Sequence, residues 1–107
     1  MTIGVGKPFF FTPDMSGCLF AAYGPNDQNL TVEHVNVRTA AALVPIAARL
    51  AIIVAAGHAF CRVLSPTPFI HPNVTLYNTG ANVIGVLNPV GGWTFHFRAD
   101  GNPVAIL

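Results

Sequence analysis

From Thr39 to Cys61 the chain runs through twenty-three residues that only Arg49 and His58 interrupt with charge or strong polarity. A segment of that length and character must be buried, because its apolar side chains lose most when left in water. It is long enough to cross a bilayer. Pro45, an arginine near the middle and the many alanines argue instead for a helix inside a folded protein, since a mid-membrane guanidinium is costly. Thr39 is placed to cap this helix, Pro45 to kink or restart it, and Gly57 to stop it. From Ile46 onward apolar residues recur all round, the pattern of an element covered on most sides.

The flanking segments alternate on a strand period. Ile3–Thr12, Cys18–Tyr23, Thr31–Val37, Ala59–Leu64, Val74–Asn78, Ala81–Leu87 and Trp93–Arg98 read as strands, with Val104–Leu107 as a closing strand. GPNDQN (Gly24–Asn29), Thr79–Gly80, Asn88–Gly92 and Asp100–Gly101 read as turns. SPTPFIHPN, with three prolines, reads as an irregular connector. The expected fold is α+β: a small antiparallel sheet or sandwich core with the one apolar helix packed on it, in a single domain spanning 1–107.

Only 8% of the 107 residues are charged, and the formal net charge is +1. Lys7, Arg38, Arg49, Arg62 and Arg98 are scattered, so the basic stripe that a nucleic-acid footprint needs is missing. The scarcity of charge favours a second copy or another partner over an apolar surface. The first residues do not read as a cleavable signal peptide, because proline and aspartate follow the FFF run at once. No cofactor is implied. The four histidines and two cysteines lack the close ligand pairs of a zinc site, and Gly91–Gly92 lacks the lysine of a phosphate loop.

The stretch TPDMSGCLF carries the candidate chemistry. A cysteine attacks as thiolate and needs a base nearby. An antiparallel hairpin through GPNDQN would carry Cys18 towards His34, the base and acid. Gly17 would let backbone amides, including that of Cys18, face a developing oxyanion. In TVEHVNV, Val32, His34 and Asn36 share one strand face and Glu33, Val35 and Val37 the other. Asn36, about 7 Å along the strand, could orient the ring or bind a carboxamide, and Ser16 is a second auxiliary candidate. The alternative for Cys18 is plain burial, the commoner state of a free cysteine. Cys61 reads as core, although a Cys18–Cys61 pairing stays open. His58 reads as a helix-end cap, His71 as a loop residue, and His96, pointing away from Phe95 and Phe97, as a reserve base.

Thr12-Pro-Asp-Met-Ser-Gly-Cys18, followed by His34 on a strand, resembles the cysteine deamidases related to cytotoxic necrotizing factor, Burkholderia lethal factor and the chemotaxis receptor deamidase CheD. The resemblance covers roughly residues 9–37 and has methionine where the family element has leucine. It implies Cys18 as nucleophile, His34 as base, Thr12 as auxiliary residue, and glutamine side chains of a protein as substrate. It also implies a bacterial toxin or effector, secreted without a cleavable signal and acting in a host cell cytoplasm. A small cysteine peptidase or amidase, and a non-enzymatic binding or structural subunit, are the competing readings.

Overall fold

The computed structural model describes residues 2–3, 9–12, 15–35 and 43–107. Among these residues, nine strands and one helix follow in order: β1 (Thr2–Ile3), β2 (Phe9–Phe11), β3 (Leu19–Asn26), β4 (Asn29–Val35), α1 (Leu43–Ala55), β5 (Phe60–Ser65), β6 (Val74–Leu76), β7 (Ala81–Leu87), β8 (Trp93–Ala99) and β9 (Ala105–Ile106). They form two sheets, ordered β1-β4-β3-β5-β6 and β2-β7-β8-β9. The fold is therefore α+β, with small sheets and one helix packed against them. Thr39 and Asn36 lie outside the described residues.

Side-chain parity along β3 explains the layering. Leu19 and Ala21 point to one face, where they bury with Ile46, Leu50 and Ile53 of α1 and with Cys61 and Val63 of β5. Phe20 and Ala22 point to the other face, where they bury with Val83, Trp93 and Phe95 of the four-stranded sheet. A strand covered on both faces loses the polar–apolar alternation of a half-exposed one, and β3 reads LFAAY for that reason. Each large side chain buried this way contributes about 1.5–3 kcal/mol.

The helix is covered on one side only, which corrects the all-round burial expected from its composition. Ile46, Leu50 and Ile53 follow the i, i+4, i+7 spacing of one stripe, while Ala47, Ala48, Ala51 and Ile52 are exposed. Alanine raises helix propensity at little exposed apolar area, so this composition serves an outer face as well as a core. Pro45 sits in the first turn, where its missing N–H costs nothing. Gly57 ends the helix in the left-handed region at φ 66°, as its position suggested.

Three other elements differ from expectation. The first predicted strand is divided: β1 pairs with β4 and β2 pairs with β7, one in each sheet. The GPNDQN turn tightens to Asp27–Gln28, because Asn26 Oδ1 accepts the amides of Gln28 (2.9 Å) and Asn29 (3.0 Å), an Asx turn that lets β3 and β4 run on. Gly24 allows the strands to close there, since a Cβ would stand 2.2 Å from the Asn29 carbonyl oxygen. Finally, β6 lies parallel to β5. The proline-rich connector packs Phe69 into the helix-side core, so the chain returns to the sheet in the same direction instead of folding back as a hairpin.

The last turn is held by a carboxylate. Asp100, at φ 54°, accepts hydrogen bonds from the amides of Asn78 (2.9 Å to Oδ2), Thr79 (2.6 Å) and Gly80 (3.3 Å) and from the Thr79 hydroxyl (3.0 Å). Those bonds, Thr79 and Asn78 foremost, hold its pKa down at about 2 against an ordinary 3.8. A carboxyl whose folded pKa lies below its unfolded value adds stability that is complete above the unfolded value and lost as the pH falls through the folded one. The expected result is that the stability difference between the protein and Asp100→Asn, read by urea melts, persists from neutral pH to about pH 5 and shrinks between about pH 4 and pH 2.

Candidate functional site

Cys18 occupies the crevice between the two sheets, just before β3, and is 5% exposed. It belongs to the cluster that holds Met15, Phe20, Tyr77 and Ala81. Its backbone is clamped by one phenol: the Cys18 amide donates to the Tyr77 hydroxyl oxygen at 2.8 Å, and that hydroxyl donates to the Cys18 carbonyl. The amide expected to face an oxyanion is thus committed to Tyr77. Gly17, at φ 82°, makes the expected bend, and this conformation presents the Cys18 backbone to the phenol.

The remaining predicted residues are dispersed. The register of β3 with β4 sets His34 opposite Phe20. His34 is exposed, although Val32 on the same face is buried. Thr12 lies beside β7, where its hydroxyl accepts the Val83 amide at 2.8 Å and its own amide donates to the Val83 carbonyl at 2.9 Å. Ser16 is exposed at a surface cleft. The expectation of a thiol nucleophile with hydrolase, deamidase, toxin, effector or virulence activity is corrected by this arrangement. No catalytic Cys–His pairing is evident among the described residues, because packing between the sheets took the cysteine inward while the strand end left the histidine in solvent.

Cys61 lies in the other core, beneath the helix, and burial pushes its thiol pKa up. The two cysteines thus occupy separate clusters and are not disulfide-bonded. A buried thiol reacts slowly whatever its neighbours. Labelling of the folded protein with an aromatic disulfide is expected to be slow at both, with rates within about threefold of each other, and complete after denaturation. Fast, selective modification of Cys18 would contradict this packing.

A polar cluster that the sequence reading missed ties α1 to the five-stranded sheet. Arg49 Nε donates to Glu33 Oε2 at 2.8 Å, and Nη2 donates to Glu33 Oε1 and to the Tyr23 hydroxyl, the latter at 3.0 Å. The Tyr23 hydroxyl also donates to Glu33. The guanidinium holds the Glu33 carboxyl below the usual carboxylate range, and the pair raises Arg49. Burial, with Glu33 adding to it, pushes the Tyr23 phenol up. His58, read as a helix cap, lies against the Tyr23 ring with centroids 4.6 Å apart. The available signal was that α1 carries a single charged residue; a helix lying on a sheet needs an acceptor for it, and Glu33 is on the correct face of β4. Each group here is committed to another, which makes the cluster an anchor.

The outer face of the four-stranded sheet is different in kind. Cross-strand pairing aligns Phe9 with Val86, Phe11 with Ile84, Ile84 with His96, and His96 with Ile106, and directly opposed residues share a face. Phe9 is 58% exposed, Phe11 65% and Ile106 70%, and the two phenylalanine rings lie 6.3 Å apart. Isolated exposed apolar residues are ordinary; here the exposed Phe9, Phe11 and Ile106 are linked across the strands by the half-buried Ile84, Val86 and His96. His96, the reserve base, stands in the middle of this row. Among the described residues no group of three or more histidine, cysteine or acidic side chains could hold a metal ion, and no helix is long and apolar enough to cross a membrane. No protein-family model, no curated protein and no solved structure matches this chain.

Proposed function

We propose that this chain is a non-enzymatic structural subunit that assembles through the outer face of its four-stranded sheet, and that its partner there is a second copy of itself. The observation that carries the reading is the row Phe9, Phe11, Ile84, Val86, His96 and Ile106, with Phe9, Phe11 and Ile106 exposed and the three between them half-buried, in a protein with 8% charged residues. Two-fold pairing sets a patch against itself, so any charge on it meets its like. The row itself carries no lysine, arginine or carboxylate; Arg98, two residues beyond His96 on the same face of β8, lies at its end, so self-pairing centred on the row sets no charge against its like there. Aligned sheets pack about 10 Å apart with interleaved side chains, and each phenylalanine fully covered contributes about 1.5–3 kcal/mol towards the cost of association.

Sedimentation velocity over a range of micromolar concentrations tests this. The expected result is a concentration-dependent dimer, and a Phe11→Asp/Ile106→Asp variant that sediments as a monomer with unchanged circular dichroism. A wild-type chain that stays monomeric throughout, or a double variant that dimerises as well as the parent, overturns the reading.

A further inference from the structure

A cleft of about 520 Å³ opens at the end of the four-stranded sheet, where Ser16 meets the 78–80 loop and the Asp100–Gly101 turn. Its volume falls in the range of small-molecule sites. Its apolar lining is supplied by Met15, Ala81 and Ala99, all buried, and its polar lining includes Ser16, Asn82, Arg98 and Asp100.

The charges in it are unusually arranged. Of the described arginines, Arg49 is paired with Glu33, and Arg62 donates to the Cys61 carbonyl and covers the Phe60 ring at 4.5 Å. Arg98 has no hydrogen-bond or ion-pair partner among the described residues, although a carboxylate stands two residues away. That carboxylate is turned to the 78–80 loop, which occupies Oδ1 with four donors. Oδ2 accepts only the Asn78 amide, and a carboxylate oxygen can accept about two hydrogen bonds. The lining thus includes a guanidinium with no partner among the described residues and a carboxylate whose Oδ2 has room for another donor. Asp100 is ionised at any pH above about 2, so both charges are present together.

A lone anion would gain from Arg98 and lose to Asp100, and a lone cation the reverse. A ligand with both signs satisfies both. We propose that this cleft binds a free α-amino acid with an apolar side chain, its carboxylate on the Arg98 guanidinium, its ammonium on Asp100 Oδ2, and its side chain towards Met15, Ala81 and Ala99. The planar fork of arginine suits a carboxylate, and Asn82, opposite Arg98 on β7, supplies a carboxamide beside it. The cleft is open to solvent, so binding is weak and rests on having both charges.

Amide chemical-shift titration of the full chain with L-valine tests this against two matched probes, isovalerate, which lacks the ammonium, and isobutylamine, which lacks the carboxylate. L-Valine is expected to move the Thr79, Gly80 and Asn82 amides saturably, with a dissociation constant on the order of 1 mM. Each single-charge probe is expected to bind at least about tenfold more weakly, as loss of one charged contact requires. Arg98→Gln, an exposed position, should weaken L-valine by a similar factor and leave the unfolding midpoint in place. No saturable shifts with L-valine, equal binding of all three probes, or unchanged binding by the variant would each overturn the proposal.

Discussion

Phe20→Ala is expected to remove about 3–5 kcal/mol of stability, a large part of the roughly 5–15 kcal/mol that holds a domain folded. Phe20 is fully buried and sits on the central strand, with Leu64 of β5 across from it on one side and His34 of β4 on the other. Its ring packs on Phe95 at 5.6 Å, and Phe95 in turn meets Phe60 at 6.2 Å and Trp93 at 6.4 Å. Truncation opens a cavity where Phe20 and Phe60 of one sheet meet Phe95 of the other, and neither sheet can collapse into it without breaking strand pairing. Urea unfolding should show a lower midpoint with an unchanged slope. A loss under about 1.5 kcal/mol would mean that the two sheets do not pack face to face at this ring.

Tyr77→Phe should cost about 2–4 kcal/mol, although it deletes a single oxygen. That oxygen accepts from the Cys18 amide and donates to the Cys18 carbonyl in a site where Tyr77 is fully buried. A typical hydrogen bond nets only about 1 kcal/mol, but stripping a partner from a buried polar group costs about 1–3 kcal/mol. The phenol also joins positions 59 residues apart, so its loss loosens the junction between the end of β6 and the start of β3. Burial, the largest influence on this phenol, pushes its pKa up, so it keeps its proton at neutral pH. Cys18→Ala provides the contrast. It keeps both backbone bonds and is expected to cost only about 1 kcal/mol of side-chain burial. If Cys18→Ala proves more damaging than Tyr77→Phe by chemical denaturation, the sulfur and not the backbone is what the core depends on.

Legibility varied along the chain with the range of the interactions involved. Ala81–Leu87 and Trp93–Ala99 form a hairpin almost to the residue expected, because their alternation is strict and Gly91 and Gly92, at φ 86° and 89°, are what a tight reversal requires. The parity of TVEHVNV was equally readable: Leu30 and Val32 are buried on one face of β4, and Glu33 reaches Arg49 from the other. A short motif does not specify its surroundings. Ser-Gly-Cys describes a bend, and the bend is there. Whether its thiol opens to solvent depended on Tyr77, Met15 and Ala81, which arrive from distant parts of the chain.

The order of strands and helix from β3 onward, most turn positions, the helix end at Gly57 and the face on which each β4 side chain lies were written in the sequence, since backbone preference and side-chain periodicity act over a few residues. Tertiary structure alone decided that β1 and β2 would join different sheets, that β6 would run parallel to β5, that Glu33 would hold Arg49, and that Cys18 would be enclosed while Phe9 and Phe11 stayed exposed. Those outcomes depend on which apolar faces cover one another, and that is settled by pairings across tens of residues whose register no local pattern encodes.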